Sequence, residues 1–273
     1  MFQILSQSFA FPIREYRAAV TIFWPLTAGY ILLYLLARVF LNENTDFFSW
    51  FLLPLLSNGK GAVFTFFFAS VVFLLLAYVI LLAYGGIIKW HRMLLLNEEA
   101  AMINFVPGVR ELKYFAYIFL FTVILVVILL VLRVMILGDF LYSGPQRNLN
   151  DPQVFSTFYT LQLLALASGY VLFLFLLANQ FLRLPNVALE RPRLQMNSVP
   201  ETRRKSLFLP LLIMSIIIAL IYATFNLLTS GQFIKNTPLL LVMDLIELCL
   251  DCYIALAGAT LLSLFYKEYY YDK

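Results

Sequence analysis

Apolar residues along this chain collect into six long runs, separated by shorter and more polar connections. A helix needs about 20 mainly apolar residues to cross the hydrocarbon core of a bilayer, and each run reaches that length. The runs lie near 18–41, 62–88, 114–137, 156–182, 207–229 and 237–265. This pattern predicts an all-α, polytopic membrane bundle of six transmembrane helices, with residues 1–273 forming a single integral membrane domain.

Composition and charge placement support that prediction and orient the helices. Of the 273 residues, 63% are apolar and 12% are charged, and a soluble domain of this length could not cover so much apolar surface. Fourteen of the 19 Lys and Arg residues fall in alternate connections, which are 1–17, 89–113, 183–206 and 266–273. Because positively charged loops remain in the cytoplasm, both termini are expected there.

Two of the basic connections share a short motif. Asn104 to Arg110 and Asn197 to Arg203 each follow an Asn-x-x-Pro-x-x-Arg pattern, 93 residues apart and just before an odd-numbered span. This repeated motif favours an architecture of three helical hairpin repeats. The alternative is coincidence, because loops that precede a span often contain Pro and Arg.

Basic and aromatic residues at the cytoplasmic ends of the spans predict contact with lipid. Such clusters bind anionic headgroups at the inner membrane surface more readily than nucleic acid, and no nucleic acid or protein partner is indicated. His91, the single histidine of the chain, is expected to be a solvated ring at this interface. The predicted interfacial residues are Lys89, Trp90, His91, Arg92, Arg183, Arg203, Arg204 and Lys205.

Three short motifs carry a family resemblance. They are Trp-His-Arg at 90–92 followed by Leu-x-x-Glu, Arg-Leu-Pro-x-x-Ala-Leu at 183–189, and Leu-Phe-Tyr-Lys-Glu at 264–268. With the six spans, they resemble uncharacterised bacterial inner-membrane proteins, similar in layout to the YciC-like family and to the membrane domain of some glycerophosphodiester phosphodiesterases. The resemblance implies a multi-pass protein of the bacterial inner membrane. The catalytic barrel of those phosphodiesterases is absent, so the resemblance supplies no catalytic residues.

The last run carries three acidic residues on one helical face. At 100° per residue, Asp244, Glu247 and Asp251 fall on the same side of the helix. Each acid costs about 2.5–3.5 kcal/mol near the bilayer centre, so this acidic face is expected to point into the bundle and is a candidate polar or transport site. Arg38 and Arg133 are candidate ion-pair partners of Asp244.

These residues leave several functions open. A lone histidine cannot form a histidine metal cluster, and the motifs of common nucleophiles and phosphate-binding loops are missing where their chemistry needs them. We therefore expect that the protein is not an enzyme and that it binds no metal or cofactor. The favoured hypothesis is a non-catalytic envelope or accessory component, because polar residues also join helices in membranes. The alternatives are a carrier of protons, cations or a small cationic solute, and a protein that handles lipid.

Overall fold

The computed structural model describes residues 2–40, 61–101, 106–142, 152–190, 206–229 and 237–269. Within these ranges the chain is helical and contains no β-strand, which confirms the predicted all-α class. A 3₁₀ helix over Ala178–Leu182 joins α5 to α6. The α-helices are α1 (Phe2–Arg14), α2 (Tyr16–Phe40), α3 (Gly61–Leu96), α4 (Val109–Tyr142), α5 (Pro152–Leu177), α6 (Arg183–Ala188), α7 (Phe208–Thr229) and α8 (Thr237–Tyr269).

Five stretches of these helices are long and apolar enough to cross a membrane. They are Ala77–Leu96, Val109–Leu137, Ser156–Ala188, Phe208–Phe225 and Ile246–Tyr269. The five coincide with the predicted second to sixth spans, so the chain has the helices of a multi-pass membrane protein. Helix α2 overlaps the predicted first span. A sixth crossing, the cytoplasmic termini and the hairpin repeat stay predictions, and Asn104 and Asn197 of that repeat lie outside the described residues.

The second predicted span is longer than expected. Helix α3 continues past residue 88 to Leu96, because Met93 and the leucines after it extend its apolar surface. The residue after the helix, Asn97, has a φ of 54°, which is the left-handed conformation common just after a helix. Helix α4 then begins with a capping contact in which Gly108 N donates to Glu111 Oε2 over 2.8 Å.

Helix α8 lies at the centre of the described bundle, because it contributes to all three clusters of buried apolar side chains. Leu262 and Phe265 pack with residues of α3 to α7. Leu256 joins a second cluster with α2 and α3, and Leu261 joins a third with α1 and α7. The helix with the largest number of acidic residues is therefore also the helix around which the others pack.

The N-terminal connection expected over residues 1–17 is helical up to Arg14. Leu5, Ser8 and Pro12 are buried on one side of α1, with the spacing of an amphipathic helix. The Tyr253 hydroxyl of α8 donates to the backbone oxygen of Phe9 over 3.0 Å. Helix α1 therefore packs along α8.

Helices α2 and α3 approach closely at a glycine, which generates a test of the packing. A Cβ atom on Gly86 would lie 2.6 Å from Phe23 Cε1, whereas one on Gly85 would meet its nearest neighbour, Glu111 Cγ, at 3.6 Å. Both alanine substitutions gain about 1 kcal/mol of helix propensity. We expect Gly86→Ala to be less stable than Gly85→Ala by about 1–3 kcal/mol because of overpacking, measured as unfolding free energy in detergent. Phe23→Leu should reduce that difference, and equal stabilities would contradict the contact.

Candidate functional site

A buried group of polar side chains joins α3 to α4 and α8, and we name it the Trp90–His91 cluster. Trp90 Nε1 donates to Thr260 Oγ1 over 2.8 Å. The ring of His91 is bonded at Nδ1 to Ser263 Oγ, at 2.6 Å, and at Nε2 to the Tyr114 hydroxyl, at 3.0 Å. All five side chains are buried. The predicted lipid contact of Trp90 and His91 is therefore wrong, because these rings bind protein groups inside the bundle.

The hydrogen bonds between α3 and α8 also show the relative direction of the two helices. Trp90 of α3 bonds to Thr260 of α8. Later in both helices, Lys267 Nζ of α8 contacts Leu94 O of α3 at 3.5 Å. The two helices therefore point in the same direction here. A neutral imidazole offers one donor and one acceptor, and a hydroxyl can serve as either. Both tautomers of the histidine thus find two matching partners.

Helix α6 is tied to the same end of the bundle. The Tyr266 hydroxyl of α8 donates to Asn186 Oδ1 over 3.2 Å. Arg92 Nη1 donates to the backbone oxygen of Ala188 over 3.3 Å. These bonds satisfy buried polar groups that would otherwise be costly inside a membrane protein, and they hold the short α6 against α3 and α8.

A charged pocket lies beside this end of the bundle. Its volume is about 250 Å³, and its charged lining residues are Lys89, Arg92, Glu98, Glu99, Arg110 and Glu111. The Arg92 guanidinium forms an ion pair with Glu98, which holds the pKa of Glu98 below its usual range. Lys89 and Arg92, predicted as lipid contacts, are half-buried in this pocket. Arg183 is exposed, whereas Arg203, Arg204 and Lys205 lie outside the described residues.

A second space, which we name the central cavity, lies between α3, α4, α5, α7 and α8 and is open on one side, where Tyr170 and Ala255 are exposed. Its volume is about 310 Å³. The walls are mainly apolar, and among the described residues that line it none is charged. The polar groups at its surface belong to Tyr84, Tyr114, Tyr170 and Ser215. Ser215 Oγ donates to Leu211 O over 2.7 Å, so the Tyr170 hydroxyl must donate in its 2.9 Å bond to Ser215.

The central cavity exists because α7 and α8 stand apart and α8 carries small side chains there. Met214 and Ile218 of α7 form one wall, and Ala255 and Gly258 of α8 form another. A Cβ atom on Gly258 would find its nearest neighbour, Met214 Cε, only at 3.9 Å. A methyl group at this position would therefore be in ordinary van der Waals contact with Met214, so the cavity next to Gly258 is about one methyl group wider than it would be beside an alanine.

The acidic face of α8 was expected to point into the bundle, but its described side chains are exposed. Glu247 and Asp251 are exposed within the described part of the chain, and neither lines the central cavity. The Tyr222 hydroxyl of α7 donates to Asp251 Oδ1, so this acid links α7 to α8 one turn from Ala255 at the cavity wall. Arg133, a proposed partner of Asp244, is exposed. The side chains of Asp244 and Arg38 lie outside the described residues.

Comparisons of the chain with known protein families, with curated proteins and with solved structures each found no match. The resemblance to six-span bacterial inner-membrane proteins therefore stays a prediction. Among the described residues, no group of three or more His, Cys, Asp or Glu side chains is placed to hold a metal ion. Function must therefore be argued from the cluster, the pocket and the cavity themselves.

Sequence reasoning overlooked the partners of the Trp90–His91 cluster. Tyr114, Thr260 and Ser263 are unremarkable in a sequence, since Ser and Thr occur in many membrane helices and bond their own backbone. One signal was present: His91 precedes the apolar residues Met93 to Leu96, so the helix could continue and bury the ring.

Removal of the imidazole tests the Trp90–His91 cluster. We expect His91→Phe to destabilise the protein by about 1–3 kcal/mol for each of the two hydroxyls left buried without a partner, measured as unfolding free energy in detergent. Adding Tyr114→Phe should cost less in this background than in the parent, because the two residues share a bond. Tyr170→Phe, at a partly exposed hydroxyl, is the control. Equal losses for His91→Phe and Tyr170→Phe would contradict a special role for the cluster.

Acidification tests the Arg92–Glu98 ion pair. Because the pKa of Glu98 is lower in the folded protein than in the unfolded chain, the pair stabilises the fold above the unfolded pKa of about 4.3. That stabilisation is lost as the pH falls through the folded pKa. We expect an effect below about 1 kcal/mol, since the pair is partly exposed. Glu98→Gln should remove this part of the pH dependence and Glu99→Gln should keep it; identical profiles for both variants would refute the assignment.

Proposed function

We propose that this chain is a non-catalytic integral membrane protein that binds an uncharged, lipid-like molecule inside its helix bundle. The observation that carries this proposal is the central cavity, which combines apolar walls with hydroxyl groups and has no charged residue in its described lining. Binding sites for small molecules typically have this make-up, with volumes of about 300–1,000 Å³. Its size suits an acyl chain or a small neutral lipid.

The chemistry of the walls selects against charged ligands. An ion that enters an apolar cavity loses its hydration and needs an opposite charge in return. Tyr84, Tyr114 and Tyr170 offer only hydroxyls, which match an ester, a carbonyl or an alcohol. A neutral lipid with one such group would satisfy both the apolar and the polar parts of the lining.

The Trp90–His91 cluster supports this role by fixing one of those hydroxyls. His91 holds the Tyr114 side chain through a buried bond of 3.0 Å, and Ser263 holds His91 in turn. A group whose position is set before binding loses little entropy when the ligand arrives. The cluster is therefore a positioning device for the cavity as well as a link between helices.

The membrane setting is part of the same proposal. The chain has six spans with both termini in the cytoplasm of a bacterial cell, in the inner membrane, where it serves as an envelope or accessory component. The distribution of Lys and Arg supports this orientation. The described helices support an integral membrane protein, since five of them reach the length and apolarity of a span.

A carrier of protons or cations is the second candidate, and one observation favours it. Glu247 and Asp251 lie on the same helical face as Ala255 and Gly258, and the last two line the central cavity. An acidic path could therefore lead to the cavity along α8. The lipid proposal ranks higher because the two acids themselves lie outside the cavity lining.

Photolabelling tests the lipid proposal. A diacylglycerol with a diazirine in one acyl chain is incorporated with the protein into phosphatidylcholine vesicles, and the labelled residues are identified by mass spectrometry. We expect labels on the cavity walls, and Ala255→Leu should reduce them about tenfold, as a clash of roughly 1.4 kcal/mol implies. Ala167→Leu makes the same change at a position of α5 that is exposed, like Ala255, but does not line the cavity, and it should leave the labels unchanged.

Two results would overturn the lipid proposal. One is labelling that does not respond to Ala255→Leu. The other is proton or cation flux in proteoliposomes that is lost in Asp251→Asn, together with no label in the cavity, and this result would establish the carrier instead.

A further inference from the structure

The charged pocket lies at the depth where a bilayer places its headgroups. Lys89 and Arg92 belong to the last turns of the α3 span, and Arg110 to the first turn of the α4 span. Ile22 of α2 and Ile88 of α3 form an apolar wall beside these charges. The pocket and the central cavity are distinct, because they share none of their described lining residues. Its occupant can therefore be considered independently of the proposed cavity ligand.

The charges in the pocket are balanced overall but unevenly placed. Three basic and three acidic side chains line it. The half-buried ones are Lys89, Arg92, Arg110 and Glu111, whereas Glu98 and Glu99 are exposed at the rim. The Arg92–Glu98 ion pair is neutral as a unit, so among the lining residues Lys89 and Arg110 against Glu111 make the interior positive by one charge, and Glu99 makes the rim negative. Such a pocket suits a ligand with its anionic group inside and its cationic group outside.

Arg110 has hydrogen-bonding capacity to offer an anion. Its buried Nε forms no hydrogen bond to the described part of the chain. This nitrogen forms ion pairs with Glu190, at 3.4 Å, and with Glu111, at 4.0 Å, so a bound anion would share the guanidinium with these two carboxylates. Glu111 uses its other oxygen to cap α4 at Gly108. A phosphate is the group that a guanidinium fork binds best, through paired and charge-assisted hydrogen bonds.

We propose that the charged pocket binds the headgroup of a glycerophospholipid that carries a primary ammonium group. The phosphate lies near Lys89 and Arg110, and the ammonium near Glu99, because both carboxylate oxygens of Glu98 are bonded to Arg92. This order matches the lipid, whose phosphate is closer to the acyl chains than its amine is. The anionic lipid expected from the basic residues alone would bring no cation to meet the carboxylates at the rim.

Lipid retention measures this selectivity directly. The protein is reconstituted in phosphatidylcholine nanodiscs with equal small amounts of phosphatidylethanolamine and phosphatidylglycerol, and retained lipids are counted by native mass spectrometry. We expect phosphatidylethanolamine to be retained about tenfold over phosphatidylglycerol, as one charge-assisted hydrogen bond implies. Glu99→Gln should reduce that ratio, and Arg110→Gln should reduce retention of both lipids. Lys89→Gln provides the second phosphate-site variant if Arg110→Gln does not fold.

Two controls separate this site from other parts of the protein. Arg183→Gln removes an exposed cation outside the pocket and should leave the ratio unchanged. Ala255→Leu, which fills the central cavity, should also leave it unchanged, so failure of the cavity proposal is distinguishable from failure here. Equal or greater retention of phosphatidylglycerol in the parent protein would overturn the inference, as would a ratio that does not respond to Glu99→Gln.

Discussion

The hydrogen bonds of Trp90 and His91 are the constraint on which the rest of this bundle depends. A tryptophan N–H and two imidazole nitrogens inside a membrane protein need partners, because no water is available to replace them. Thr260, Ser263 and Tyr114 supply those partners. The bonds set the register of α3 against α8 and bring the start of α4 beside both. Tyr114 of the cluster lines the central cavity, and Lys89 and Arg92, which flank Trp90 and His91 in the sequence, line the charged pocket.

The central cavity and the charged pocket differ in chemistry for a physical reason. The central cavity is surrounded by spans, where an unpaired charge is expensive, and its polar groups are hydroxyls. The charged pocket lies at the ends of two spans, where long side chains can reach polar surroundings. Lys89 and Arg110 can therefore be accommodated there. A single protein can thus offer one site for an uncharged molecule and another for a headgroup.

One of the acids of α8, Asp251, forms a link between two helices. Asp251 bonds to Tyr222 and joins α7 to α8 just beyond the cavity. Ala255 and Gly258, on the same face of α8 as Asp251, line the central cavity. The small residues and the polar link are therefore neighbours along one helix.

The sequence by itself determined the helical class and most of the spans, because the length and apolarity of a run report directly on its ability to cross a bilayer. It also placed Asp251 near Ala255 and Gly258 on one face, since helical spacing is a local property. Only the tertiary structure decided that His91 is buried, that α1 packs on α8 and that Lys89 shares a pocket with carboxylates. These contacts depend on residues that are distant in the chain, as Ser263 is from His91. A local sequence pattern does not show that such residues lie close together in the fold.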